Sequence, residues 1–211
     1  MALIDKINDG FIALTNLVKS NGLATINNKV LLPRKIGESQ KWYQSGLRYS
    51  AEYPYPYTLS VGPFSSGTQY FVPFTALEDA TITTLEIQCT TAQANAIIHL
   101  GIYASDSNND VAAPLFTSDP ISCSTSGIKN ASCNVQIVKG KVYWLSILPI
   151  GSLAFYRNAQ DSLFAIKGST SGSLLVPLGY HTTNNTSMAQ SAPTSKLDSY
   201  GSLPRVMFAT T

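Results

Sequence analysis

From residue 68 onward apolar side chains fall on every second position, in short runs broken by turn residues. Leu85, Ile87 and Cys89 alternate with Thr84, Glu86 and Gln88, and Ile98, Leu100 and Ile102 alternate with Ile97, His99 and Gly101. A period of two puts one set on the core side of a strand and the other on a wet or second-interface face. Further strands are expected at Tyr70–Phe74, Pro114–Thr117, Cys133–Val138, Val142–Leu148, Phe164–Lys167 and Arg205–Ala209. Turn residues separate them at Ser107-Asn108-Asn109-Asp110, Ser124–Gly127, Lys139-Gly140-Lys141 and Gly168–Gly172. Many short strands with no second amphipathic helix predict a mainly β chain, an antiparallel β-sandwich or jelly roll over residues 68–211.

Residues 1–22 follow a different rhythm. Ile4, Phe11 and Val18 fall at one heptad position, and Ile7, Leu14 and Asn21 at the other. Asp5 and Asp9 sit where the helix dipole favours acid, Lys19 sits in the last turn, and Gly22 suits a helix end. A helix of about 20 residues is marginal alone in water. Its stripe therefore needs cover, either from two further copies in a trimeric coiled coil or from the chain's own β-domain. The trimer reading assigns Ile4, Ile7, Phe11, Leu14 and Val18 to the interface. Residues 23–67 read as an extended connector, because Pro33, Pro54, Pro56 and Pro63 interrupt helices and forbid a central strand. Its aromatics, Trp42, Tyr43, Tyr49, Tyr53, Tyr55 and Tyr57, suit a segment lying against a surface, either a neighbouring subunit or the chain's own or a sister β-domain.

Only 12% of the residues are charged, and the formal net charge is +2. A polar, sparsely charged surface suits a protein held in a large assembly. The basic residues are scattered, which argues against nucleic acid. No signal peptide and no apolar run of about 18 residues is visible, so a cytoplasmic origin without membrane insertion is expected. Cys89, Cys123 and Cys133 show no metal-ligand spacing. Cys123 and Cys133 flank a hairpin-like stretch and a disulfide between them is conceivable, but buried free thiols are the preferred reading.

Tyr70-Phe71-Val72-Pro73-Phe74, Ile82-Thr83-Thr84-Leu85, Leu100-Gly101-Ile102-Tyr103, Ala113-Pro114-Leu115-Phe116 and Val138-Lys139-Gly140-Lys141-Val142-Tyr143-Trp144-Leu145 follow one another in order. This block resembles the β-sandwich domain of phage tail-fibre and minor virion proteins. The opening Leu3-Ile4-Asp5-Lys6-Ile7-Asn8 resembles the start of phage fibre proteins whose N-terminal helices bundle as trimers. The resemblance covers about half the chain. It implies a virion component that partners with other tail, baseplate or capsid proteins, and it brings no catalytic residue. Independently of it, Gly101 leaves a gap where a neighbouring side chain can approach.

No cofactor, metal or catalytic group is expected. His99 lies mid-strand as an outward, hydrogen-bonded or interface histidine, and the pairs Asp106/Asp110 and Glu78/Asp79 read as turn formers with local backbone bonds. The late loops offer possible receptor contacts in Tyr156, Tyr180, His181, Asn184, Asn185 and Tyr200. Three functions fit: a homotrimeric fibre or spike subunit contacting host glycans, a capsid decoration (head fibre) protein, and a carbohydrate-binding module.

Overall fold

The computed structural model describes residues 24–26, 29–31, 42–50, 60–157, 180–190 and 203–211. The chain divides into two compact units, Met1–Lys41 and Trp42–Thr211. In the first, β1 (Ala24–Ile26) and β2 (Lys29–Leu31) pair as an antiparallel hairpin with Thr25 opposite Val30. The heptad residues Ile4, Ile7, Phe11, Leu14 and Val18 lie outside the described residues.

The second unit begins with β3 (Tyr49–Ser50), β4 (Ser60–Phe64), β5 (Gln69–Thr75), β6 (Ala80–Thr91) and β7 (Ile97–Ser105). It continues with β8 (Val111–Thr117), β9 (Ile121–Ser122), β10 (Gly127–Ile137), β11 (Val142–Ile150), β12 (Leu153–Arg157), β13 (Tyr180–Thr182) and β14 (Met207–Thr210). All pairings are antiparallel. One sheet runs β3-β14-β6-β12-β4, with β10 on the free edge of β6, and the other runs β13-β5-β11-β7-β8, with β9 also on β7. At twelve residues, β6 is long enough to take β14 and β12 end to end on one edge while β10 follows the other.

The alternation read from the sequence decides which faces meet. Ile82, Leu85, Ile87 and Cys89 of one sheet and Ile98, Leu100, Ile102, Leu145 and Ile147 of the other share one buried cluster. Phe74, Tyr43, Tyr49 and Phe208 close part of it with ring centroids 4.9–5.8 Å apart. Prolines sit where a missing N–H does no harm. Pro63 is in the edge strand β4 and Pro114 in the edge strand β8, while Pro73 lies beyond the three residues of β5 that pair with β13.

Several elements were not legible in advance. The stretch 23–67, expected as an extended connector, includes β1 to β4. Pro63 is compatible with β4 because, among the described residues, that strand takes a partner on one side only. Strand β12 carries no alternation in the sequence because Leu153, Ala154 and Phe155 are all buried. Strands β9 and β13 have two and three residues, too few for a period. The expected strand Phe164–Lys167 and turn Gly168–Gly172 lie outside the described residues.

The outer face of the second sheet is also dry. Phe71, Tyr103, Val111, Trp144, Leu148 and Met188 form a second buried cluster. Gly101 makes this possible: a Cβ there would stand 2.6 Å from the Met188 methyl and 3.1 Å from the Phe116 carbonyl oxygen. The gap expected at Gly101 is thus filled by Met188. Gly101→Ala is expected to destabilise the fold by about 1–3 kcal/mol through overpacking. In urea denaturation, part of that loss should return when Met188→Ala is added, so the two substitutions will not be additive.

Candidate functional site

Hydrogen bonds gather the loops into two sets. In the first, Gly67 N–H donates to the Pro149 carbonyl (2.8 Å), Gly151 N–H to Ser66 Oγ (2.8 Å), Ser152 N–H to Gln93 Oε1 and Gln93 N–H to the Cys123 carbonyl (3.2 Å). In the second, Ala76 and Gly140 bond to the carbonyls of Lys141 and Ala76 at 2.9 and 2.7 Å. Glu78 Oε1 accepts from Tyr43 N–H (2.7 Å) and Asp79 Oδ1 from Lys139 N–H (2.7 Å). These two acids were expected to bond within their own turn. Instead they hold segments 35 and 60 positions away.

Asp106 is a turn former: its Oδ1 accepts from Asn108 and Asp110 N–H, both at 2.8 Å, and its own N–H reaches the Asp110 carbonyl. This rigid loop and the Lys139–Lys141 turn bound an open groove of about 600 Å³. Val142 and Leu115, the latter 46% exposed, supply apolar lining, and Asp106, Asn109, Gln136 and Lys141 supply polar groups. Such a groove can hydrogen-bond a hydroxylated or amide ligand. Among the described residues no three His, Cys, Asp or Glu side chains gather as a metal site would require.

Of the expected receptor residues, those described fall on both sheets. Asn184 is exposed with φ of 61°, but Asn185 holds structure: its N–H donates to the Gly67 carbonyl (2.8 Å) and its Nδ2 to Thr182 Oγ1 (2.7 Å). Tyr156 is half-buried in β12, in the other sheet, opposite Val61. Tyr180 and His181 belong to β13, opposite Phe71 and Tyr70. Tyr200 lies outside the described residues. Of the connector aromatics, Tyr43 is buried and Tyr49 packs on it within the chain's own core, while Trp42 is half-buried. Tyr53, Tyr55 and Tyr57 lie outside the described residues. His99 is half-buried, and its Nδ1 donates to the Ser118 carbonyl at 3.2 Å.

The most specific polar cluster was not anticipated. Gln69 is fully buried; its Nε2 donates to the Tyr103 hydroxyl and to Ser146 Oγ, both at 2.9 Å. Ser146 donates onward to the Tyr70 carbonyl. Residues 183–190 cross this face as a strap, and Ala189 is held at both ends of its peptide. Its N–H reaches Gln69 Oε1 (2.8 Å), and its carbonyl accepts from the Tyr103 hydroxyl (2.7 Å). Burial pushes the Tyr103 phenol above its ordinary value, against a smaller downward pull from the Gln69 bond. The available signal was Ser146, a lone hydroxyl inside the apolar run of β11.

The second unit is thus an antiparallel, two-sheet β fold. No protein-family model and no curated protein sequence matches the chain. Among solved structures it is similar to a chain in the structure of infectious bursal disease virus, Gx strain, at 11% identity and a TM-score of 0.30. That match covers 90% of this chain and 46% of the other, so the chain spans less than half of its length. A likeness at that level carries no weight for fold or function.

Gln69→Leu should orphan the Ala189 N–H and remove a donor from Ser146, costing about 1–3 kcal/mol in urea denaturation. Gln136→Leu, on the exposed groove, should stay within about 0.5 kcal/mol of the parent.

Proposed function

We propose that this chain is a structural, non-enzymatic subunit of a bacteriophage virion, a homotrimeric fibre or spike whose N-terminal region attaches it and whose sandwich faces the host surface. The observation that carries this reading is the wiring of the two sheets. From β4 to β12 the chain passes repeatedly between them, giving β4-β12-β6-β10 in one and β5-β11-β7-β8 in the other. That is the strand order of a jelly roll, an architecture used in particle shells and lectins. The polar, lightly charged outer positions Thr84, Glu86 and Gln88 of β6 fit a subunit that works among many neighbours.

In this reading Ile4, Ile7, Phe11, Leu14 and Val18 join three copies, and host glycan contacts fall to exposed loops such as Asn184 and the groove beside Asp106. A second reading, a capsid decoration protein, is favoured by the same wiring. The two separate on particles: loss of a decoration protein weakens the capsid, whereas loss of a fibre removes adsorption and leaves capsid strength unchanged.

The oligomer is tested by mass measurement in solution on the full chain and on a chain lacking residues 1–22. A trimer that becomes a monomer on truncation is expected. A monomer in both cases would reject the role given to the heptad.

A further inference from the structure

Three cysteines remain that no part of the proposed role uses, and the fold sorts them into a pair and a single. Cys89 points inward from β6, where its strand neighbours are Gly127 of β10 and Phe155 of β12. Cys123 follows β9 in the opposite sheet; its N–H donates to the Ala96 carbonyl (2.8 Å) and its carbonyl accepts from Gln93 N–H. Both are fully buried in the inter-sheet cluster. Cys123 lies four residues before Gly127, the residue opposite Cys89, and its carbonyl is tied to Gln93 just past the end of β6, so the two thiols sit at the same end of the core and each influences the other; Cys89 itself donates to the Thr91 carbonyl at 3.3 Å.

Cys133 is elsewhere. Its thiol donates to the Ile82 carbonyl at 3.4 Å, near the opposite end of β6. Along β10 it stands six residues beyond Gly127, the residue opposite Cys89, or about 20 Å at ~3.3 Å per residue. A Cys123–Cys133 bond, which the spacing in sequence made conceivable, would require the sandwich to come apart. All three thiols are free in this structure.

We propose that Cys89 and Cys123 are a latent inter-sheet crosslink, closed when the chain folds or opens in the presence of an oxidant, and that Cys133 stays a thiol. The oxidant is a small-molecule disulfide. A Cys89 or Cys123 thiolate attacks it, the resulting mixed disulfide is displaced by the second cysteine, and the protein gains one S–S bond. Two thiols of the small molecule are released, so the two electrons and two protons lost by the protein are accounted for. The bond would close a loop of about 34 residues and tie β6 to the segment after β9, across the core rather than within a sheet.

Burial shapes the kinetics. It pushes the Cys123 thiol up to about 12, with the neighbouring Cys89 as a further upward influence, and raises Cys89 as well. Little thiolate is present at neutral pH and the sulfurs are out of reach, so the folded, reduced protein should oxidise slowly. Closure should be fast during refolding, before the core excludes the reagent.

The full chain is refolded from urea in a mixture of oxidised and reduced glutathione. It is then denatured, alkylated with iodoacetamide and mapped as peptides; a chain that does not refold is instead held in the same glutathione mixture in urea below its unfolding midpoint, where the native state opens transiently. The expected result is one alkylated cysteine, Cys133, a peptide joining Cys89 to Cys123, and a thermal midpoint several degrees above that of the reduced protein. Cys133→Ser should form the same linked peptide. Three alkylated cysteines in the protein refolded or opened in the glutathione mixture, or a linked peptide containing Cys133, would overturn the proposal. Neither result depends on whether the chain is a trimer or belongs to a particle.

Discussion

Strand β11 has no solvent face, and much of what surrounds it follows from that constraint. Tyr143, Leu145 and Ile147 enter the core between the sheets, while Trp144 and Leu148 enter the cluster on the other side. Its one polar side chain, Ser146, is fully buried between these apolar residues. A buried hydroxyl left without partners costs about 1–3 kcal/mol, so β11 needs a polar neighbour as well as apolar ones. Gln69 meets that need and, through Tyr103 and the Ala189 peptide, also fixes the strap that keeps water off the face.

Two-sided burial explains why the sheets differ. On the second sheet Gly101 is bare so that Met188 can sit on it, and Trp144 satisfies its indole N–H with Ser105 Oγ at 2.9 Å. On the first sheet the outward residues of β6 remain half-buried threonines, Glu86 and Gln88. Arg48, itself exposed, bonds to the half-buried Glu86 there at 2.8 Å and keeps that face polar. Sites open to a partner are therefore the loops and the wet face. That division suits the proposed scaffold role, in which the interior is sealed and contacts are made by hydroxyls and amides.

Period-two alternation was enough to place β6 and β7, because each has one face in the inter-sheet core. It also marked Gly101 as a point of close approach. It could not locate β12, which is buried throughout, or show that Tyr43 and Tyr49 of the supposed connector belong to the core. Aromatic clustering in sequence reports that a segment packs, not what it packs against. Asn185 looks like a loop amide in sequence for a similar reason, yet its backbone N–H goes to Gly67, more than a hundred positions away. The Gln69 network was least legible, since its members are scattered between positions 69 and 189 and only the fold brings them together.

The dependence of this arrangement on a doubly covered β11 can be measured by native-state hydrogen exchange. Amides of β11 and of its neighbours β5 and β7 should be the slowest in the chain, and the Ala189 amide should be protected well beyond an exposed loop. Exchange of Ala189 at the rate of an unstructured peptide, with β11 still fully protected, would show that the strap is not what seals the outer face and would contradict the account.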